Sequence, residues 1–175
     1  MRRLLLITAL LLSLQAASQA QEANPDEVSS GDAILTAVYD VISGPAGREI
    51  DWERFHSLFL PDTRLIPIVR DSTGATSYIS WTPTEFMERT SEAFLQDAFY
   101  ELEIDRSAQH YGNLVHAFST YESYRSLEEG TEPFTRGINS FQLLHKDDRW
   151  WIMTIFWQPE WPGLPIPAEY LPAGE

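Results

Sequence analysis

The sequence predicts an α+β domain in which three N-terminal helices pack on a curved antiparallel sheet. Apolar residues recur with helical spacing in the first half of the chain, whereas apolar and polar residues alternate after about Asp97. Four alternating segments then follow one another with short turns, as in an antiparallel meander. This segregation of helices from strands is typical of α+β domains, and 175 residues suffice for one such domain.

Each predicted helix has a start signal. The first begins at Gly31 behind the cap Ser30, ends at the GPAG stretch (44–47), and carries on one face Ile34, Leu35, Val38, Val41 and Ile42. The second follows Asp51, ends before Pro61, and carries on one side Trp52, Phe55, Leu58 and Phe59. The third begins with Thr82-Pro83-Thr84-Glu85, which combines a capping box with proline at the first helical position.

The remaining segments read as strands. A short strand at 63–69 contains Pro67, which restricts it to a sheet edge or a bulge. The long strands are predicted at 99–110, 114–126, 134–145 and 150–158. The proline-rich segment 161–175 is predicted to be an extended tail, and residues 21–30 a flexible leader to the domain at 31–160.

Turn lengths predict which side chains face the helices. A two-residue turn at Asp147-Asp148 pairs Gln142 with Met153, Ser140 with Ile155 and Ile138 with Trp157. In this register, the side chains expected on the concave face are Trp151, Met153, Ile155 and Trp157. A three-residue turn at 111–113 pairs His116 with Ala108 and Phe118 with Arg106, whereas a two-residue turn would invert one strand against its neighbour. With the three-residue turn, Leu102 faces inward while Glu101 and Glu103 face out.

Three stretches carry a family resemblance: FLPDTRLIP after the second helix, the TPTEF helix start, and RGINSFQLL followed by DRWWIMTIFWQPE. With the element order, they make residues 31–160 similar to the NTF2-like superfamily, which includes ketosteroid isomerases, SnoaL-type cyclases and scytalone dehydratase. The chain especially resembles exported bacterial members that carry GNLVHAFSTYES before RGINSFQLL. The resemblance implies a cone-shaped fold with a cavity between sheet and helices, but no one reaction.

Most catalytic residues of the isomerases have no counterpart of the same chemistry in this sequence. The position of their general base matches Pro67, and that of their oxyanion-binding aspartic acid matches Ser140; their oxyanion-binding tyrosine falls near Tyr39. Because proline cannot remove a proton, isomerase chemistry of that type is not supported. The isomerases also keep a methionine and a tryptophan of the last strand in the pocket, and these match Met153 and Trp157.

The leading hypothesis is that the protein binds a small, largely apolar or aromatic molecule without a cofactor. The expected ligand-binding residues are Arg106, Phe118, Ser140, Gln142, Trp151, Met153, Ile155 and Trp157. One alternative is a cofactor-free lyase, isomerase or hydrolase in which His116 is the acid–base group and Tyr39 assists. Another is a structural or protein-interaction domain with a filled core. The convex face, with Trp150, Ile152 and Phe156, is expected to form a homodimer interface.

Composition restricts the partners. A net charge of −14 disfavours binding to nucleic acid or to anionic lipid. The chain has no cysteine, and its four histidines lack the spacing of a zinc site, so no metal is expected.

Arg2 and Arg3 precede an apolar run of roughly a dozen residues and the small-x-small site Ser18-Gln19-Ala20, which together predict a signal peptide over 1–20. The mature protein is therefore expected in the periplasm or outside the cell.

Export can be checked directly. N-terminal sequencing of the secreted or periplasmic protein should begin at or near Gln21, because cleavage is expected after Ala20. An intact Met1 in a membrane fraction would contradict this prediction.

Overall fold

A computed structural model of the chain describes residues 22–174, so the predicted signal peptide lies outside the described residues. The helices are α1 (Gly31–Ile42), α2 (Trp52–Ser57) and α3 (Pro83–Gln96), with short 3-10 turns at Pro25–Val28 and Ala168–Tyr170. The strands are β1 (Phe59–Arg70), β2 (Thr76–Tyr78), β3 (Tyr100–Tyr111), β4 (Leu114–Tyr124), β5 (Thr135–Lys146) and β6 (Arg149–Pro159). They form one curved, open sheet in the order β2-β1-β6-β5-β4-β3, which confirms the predicted α+β class.

The helices begin where the sequence signals predict. The Ser30 side chain accepts from the backbone N–H of Ala33, and the Asp51 side chain accepts from that of Arg54. At α3 the predicted capping box is complete: Thr82 and Glu85 each accept a hydrogen bond from the backbone N–H of the other. Within α3 only Pro83 is fully buried, and the helix rests on β1 and α2 through partly buried side chains.

The first strand differs from its prediction. The strand begins at Phe59, four residues before the predicted start, and is longer than predicted. It pairs in parallel with β6, and Pro67 lies opposite Trp157. It is not an edge strand, because the short β2 pairs with its far end. The carbonyl of Pro67 accepts from the N–H of Ile79, 3.1 Å away.

A β-bulge in β6 changes the register that the last hairpin was predicted to have. The two-residue turn is confirmed: Lys146 pairs with Arg149, and Asp147 and Asp148 take positive φ angles of 54° and 56°. The next rungs, however, join Leu143 with Ile152 and Gln142 with Thr154, so that Met153 is an extra residue. Beyond it Phe141 pairs with Ile155 and Asn139 with Trp157. The predicted pairings of Met153, Ile155 and Trp157 are therefore wrong.

The register of the β3–β4 hairpin also differs from the prediction. A two-residue turn at Gly112-Asn113, with Gly112 at φ 55°, pairs Tyr111 with Leu114, and His116 therefore faces Gln109 rather than Ala108. A second irregularity falls at Ile104, between the rung that joins Glu103 with Tyr121 and the rung that joins Asp105 with Thr120. Leu102, expected inside, is 41% exposed.

The convex face is partly covered by the tail. Ile166 is buried, the Tyr170 ring lies 5.5 Å from that of Phe118, and Thr120 donates to the Tyr170 carbonyl. Of the three residues expected at a dimer interface, Phe156 is exposed on this face. Ile152 instead lies in the core and Trp150 packs against it, because the bulge reverses their sides. Dimerisation through this face stays a prediction.

The core between the helices and the concave face is apolar. Its largest fully buried apolar side chains are Phe55, Phe141, Ile34, Leu35, Leu58, Leu65, Leu143, Ile152 and Val41. Within residues 22–174, no helix has both the length and the apolar character needed to cross a membrane.

Close packing of β5 against β6 requires glycine at position 137. A Cβ atom there would lie 2.3 Å from the carbonyl oxygen of Gln158 and 2.7 Å from the Tyr121 hydroxyl oxygen. We expect Gly137→Ala to lower the free energy of unfolding by about 1–3 kcal/mol, because backbone atoms cannot move aside cheaply. Chemical denaturation measures this change. Gly31→Ala is the matched control, since its Cβ would meet Leu143 at an ordinary 3.5 Å; equal effects of the two substitutions would contradict the prediction.

Candidate functional site

A cavity of about 270 Å³ lies between the helices and the concave face of the sheet. Helices α1 and α3 form one wall, and the inward side chains of β1, β3, β4, β5 and β6 form the other. Its apolar lining consists mainly of Val38, Ile42, Phe55, Leu65, Phe86, Phe94, Phe99, Phe141, Ile155 and Trp157. The volume exceeds that of cavities known to bind benzene, about 150 Å³, so it suits a substituted or bicyclic ring.

The helix side of the cavity is held by aromatic contacts. The ring of Phe86 stacks on that of Phe55 at 5.6 Å, and the ring of Phe94 stacks on that of Trp52 at 6.3 Å. Phe94 also packs against Phe99 at 4.9 Å. Such pairs add to the burial energy and fix ring orientation, so α3 presents an aromatic wall despite its loose packing.

The polar lining gathers at one end, around Glu101 on β3. Its carboxylate accepts hydrogen bonds from Ser123 Oγ at 3.2 Å and from Asn139 Nδ2 at 3.3 Å. Asn139 Nδ2 also donates to the Tyr39 hydroxyl, 2.9 Å away. The side-chain amide of Asn139 thus joins the strand carboxylate to helix α1.

The hydrogen-bond network continues from Tyr39 to a second carboxylate. Ser119 Oγ donates to Glu103 Oε1 at 2.5 Å, and it lies 2.6 Å from the Tyr39 hydroxyl. Because the single proton of Ser119 goes to Glu103, Tyr39 must donate to Ser119, which leaves its own oxygen to accept from Asn139. Arg106 neutralises Glu103, with Nε at 2.7 Å, and also pairs with Asp32.

The two inward carboxylates have different electrostatic surroundings. Glu101 has no cationic partner in the network, and burial raises its pKa from 4.5 to about 7, against the opposing effect of its bonds from Asn139 and Ser123. Burial and the Glu101 charge likewise raise the pKa of Tyr39 and of Tyr121 above their ordinary value. Both phenols therefore stay protonated near neutral pH, while Glu101 gains or loses a proton there.

The structure brings three of the predicted site residues to the cavity, namely Tyr39, Ile155 and Trp157. His116, Phe118, Ser140 and Gln142 lie on the convex side instead, because the two-residue turn and the bulge reverse the predicted faces of β4 and β5. There the His116 ring lies 3.1 Å from Ser140 Oγ and 5.3 Å from the Phe118 ring. His116 and Gln142 are directly paired across β4 and β5.

Three further predicted residues lie away from the cavity. Arg106 faces Glu103 and Asp32. Trp151 lies under the Arg149 guanidinium at 3.7 Å, with its indole N–H donating to the carbonyl of Lys146. Met153 is the extra residue of the bulge and does not pair with Gln142, its predicted partner.

The sequence reasoning missed the polar end of the cavity, which is formed by Glu101, Tyr121, Ser123 and Asn139. One signal was present: a Gly-Asn pair between alternating segments is typical of a two-residue hairpin turn. That turn leads to the observed pairs as far as Asp105 with Thr120. The irregularity at Ile104, which no residue type marks, then places Ser123 opposite Glu101 and Tyr121 opposite Glu103. Among residues 22–174, no group of three or more His, Cys, Asp or Glu side chains could hold a metal ion.

Comparison with known proteins supports the fold alone. No protein-family model and no curated protein matches the chain. A crystal structure of a protein of unknown function with a cystatin-like fold from Nostoc punctiforme matches with a TM-score of 0.54 at 12% identity, over 75% of this chain and 89% of that one. A protein of unknown function from Mycobacterium tuberculosis matches with a TM-score of 0.58 at 13% identity, over 81% and 78%.

An NTF2-like protein of unknown function from Shewanella baltica also matches, with a TM-score of 0.48 at 10% identity, over 74% of this chain and 90% of that one. Identities this low say nothing about shared chemistry. With its helices on one face of a curved, open six-stranded sheet, the chain has a cystatin-like fold, as does the Nostoc punctiforme protein.

Proposed function

We propose that this protein is exported and binds a small, largely apolar molecule in the cavity between its helices and sheet. The observation that carries the binding proposal is the cavity itself: about 270 Å³, walled by aromatic side chains, with its polar groups gathered at one end. Binding pockets commonly combine an apolar wall with a few convergent polar groups, since the wall supplies affinity and the polar groups fix orientation.

The expected affinity follows from buried area. A ligand that buries about 250 Å² of apolar surface gains about 6 kcal/mol at about 25 cal/mol per Å². This corresponds to a dissociation constant on the order of tens of micromolar. A filled core would give no saturable binding, which separates this proposal from the structural or protein-interaction alternative.

Substitution of Trp157 tests the cavity. Its ring lines the apolar wall, so Trp157→Ala should weaken the binding of small aromatic compounds about tenfold or more. Titration calorimetry is the suitable measurement, because removing a tryptophan also alters fluorescence.

Trp151→Ala is the matched control, since this tryptophan packs under Arg149 outside the cavity. It should leave affinity within about twofold. Equal losses in the two variants would contradict the placement of the ligand. If a broad panel of apolar and aromatic compounds gives no saturable heat with the wild-type protein, the binding proposal fails.

Acid–base catalysis is a second candidate function, and Glu101 rather than His116 favours it. A general base works best when its pKa lies near the operating pH, and burial raises the pKa of Glu101 to about 7 at the wall of a cavity that can hold a substrate. His116 is on the other side of the sheet, bonded to Ser140.

The raised pKa of Glu101 predicts how stability depends on pH. Below about pH 4.5 the carboxyl is protonated in both the folded and the unfolded chain, so it favours neither. Between about pH 4.5 and 7 the unfolded chain releases the proton while the folded chain retains it, so the folded state loses stability as pH rises. Above pH 7 the loss is complete.

Glu101→Gln should therefore become more stable relative to wild type on going from pH 5 to pH 8, by about 1–3 kcal/mol. Urea denaturation at several pH values measures this difference, in which the titration of all other groups cancels. Glu88→Gln, an exposed change of the same charge on α3, should show no such trend. A constant difference between Glu101→Gln and wild type across this range would show that the pKa of Glu101 is not raised.

A further inference from the structure

The hydroxyl groups around the cavity are largely committed to the protein. Thr90 Oγ1 donates to the carbonyl of Phe86 at 2.8 Å, and Ser123 Oγ donates to Glu101. Tyr39 donates to Ser119, as the direction of the network requires. These three side chains therefore have no proton left to offer a ligand.

Glu101 and Tyr121 are among the groups at the polar end that retain capacity for a ligand. Each oxygen of the Glu101 carboxylate accepts one hydrogen bond and can accept another. The side chain of Tyr121 is 3% exposed and lines the cavity, yet its hydroxyl has no hydrogen-bond partner among residues 22–174. The Tyr121 side chain borders the cavity, so its hydroxyl is available to a bound molecule.

Charge adds a second constraint. None of the described lining residues is a lysine, an arginine or a histidine, so no cation faces Glu101 from within the cavity. The neighbouring guanidiniums are engaged: Arg106 pairs with Glu103 and Asp32, and Arg48 donates to the carbonyl of Ser43. The net charge of −14 further draws cations toward the protein and repels anions.

We propose that the cavity selects an organic amine, in which a protonated primary or secondary amino group is attached to an aromatic or aliphatic body. The ammonium group donates to the Glu101 carboxylate and to the Tyr121 oxygen, while the body lies among the rings of Phe86, Phe94 and Trp157. Aromatic faces stabilise an adjacent cation, and a charge-assisted hydrogen bond is strongest where water is excluded. This inference rests on the proposed function and specifies its ligand class.

The amine's affinity should depend on pH through Glu101. The charged and titratable groups that surround this carboxyl are Tyr39 and Asp40 of α1, Arg48 after α1, Glu103 of β3 and Tyr121 of β4. Asp40 is paired with Arg54, and Glu103 with Arg106. Glu101 is thus the group that changes charge near neutrality, with its pKa raised to about 7.

Three matched compounds test the proposal: 2-phenylethylamine, its neutral isostere propylbenzene, and the anion 3-phenylpropanoate. Titration calorimetry at pH 8 should show the amine binding about tenfold or more tightly than propylbenzene, and the anion more weakly than both. Below pH 7 the affinity of the amine should fall about tenfold per pH unit, because Glu101 takes up a proton, whereas that of propylbenzene should not fall.

Two variants test whether the Glu101 carboxylate causes the preference for the amine. Glu101→Gln should reduce the amine's affinity to within about threefold of that of propylbenzene, while Glu88→Gln, the control for net charge, should retain the full preference. The wild-type pH profile decides the question even if Glu101→Gln fails to fold.

Equal, pH-independent affinities for the amine and propylbenzene would overturn the amine proposal and leave the binding proposal standing. If neither compound binds nor any member of the broader apolar panel, both proposals fall. A preference for the amine that persists in Glu101→Gln would also overturn the assignment.

Discussion

The extra residue at Met153 in β6 determines which side chains at the far end of that strand face the helices. Successive residues of a strand point to opposite faces, so one additional residue reverses every side chain beyond it relative to the neighbouring strand. Because of this bulge, Trp157 and Ile155 point inward beside Asn139 and Phe141. Without it Thr154 and Phe156 would lie opposite Phe141 and Asn139 on the inner face, and the cavity would lose Ile155 and Trp157.

The polar network gives the two inward carboxylates of β3 different partners. Glu101 and Glu103 are two residues apart and share a face, about 6.6 Å from each other along the strand. Arg106 pairs with Glu103, which accepts the proton of Ser119, and Ser119 in turn accepts that of Tyr39. Glu101 receives only neutral donors, and burial raises its pKa to about 7.

Much of the fold could be predicted because its signals are local. Ser30, Asp51 and the Thr82–Glu85 capping box mark helix starts through bonds made within a few residues. The facing of the strands could not be predicted in the same way. Met153 and Ile104 are ordinary strand residues, and nothing in the residue type marks a position as the extra one of a bulge.

The rule that apolar side chains are buried also gave the wrong prediction for β3. It favours Leu102 inside and Glu101 outside, yet the structure has the reverse, because Ser123, Asn139, Ser119 and Arg106 satisfy the inward carboxylates. A network assembled from four elements has no counterpart in a local sequence window. Ile155 and Trp157 were placed at the cavity from the sequence with the wrong partners, since the bulge lies between them and the turn from which the residues were counted.

The weak anchoring of α3 has a kinetic consequence. Only Pro83 of this helix is fully buried, and Phe86 and Phe94 contribute both its packing and one wall of the cavity. Detaching α3 exposes these rings and the faces of Trp52 and Phe55 on which they stack, but it leaves α1 and the sheet in place, so it requires less free energy than opening the sheet. For the ligand proposed above, local opening of this helix would be one route of entry and escape, and its residence time would then be separate from the stability of the fold. A guest that bridges Phe86 and Phe94 would slow its own departure by holding that helix closed.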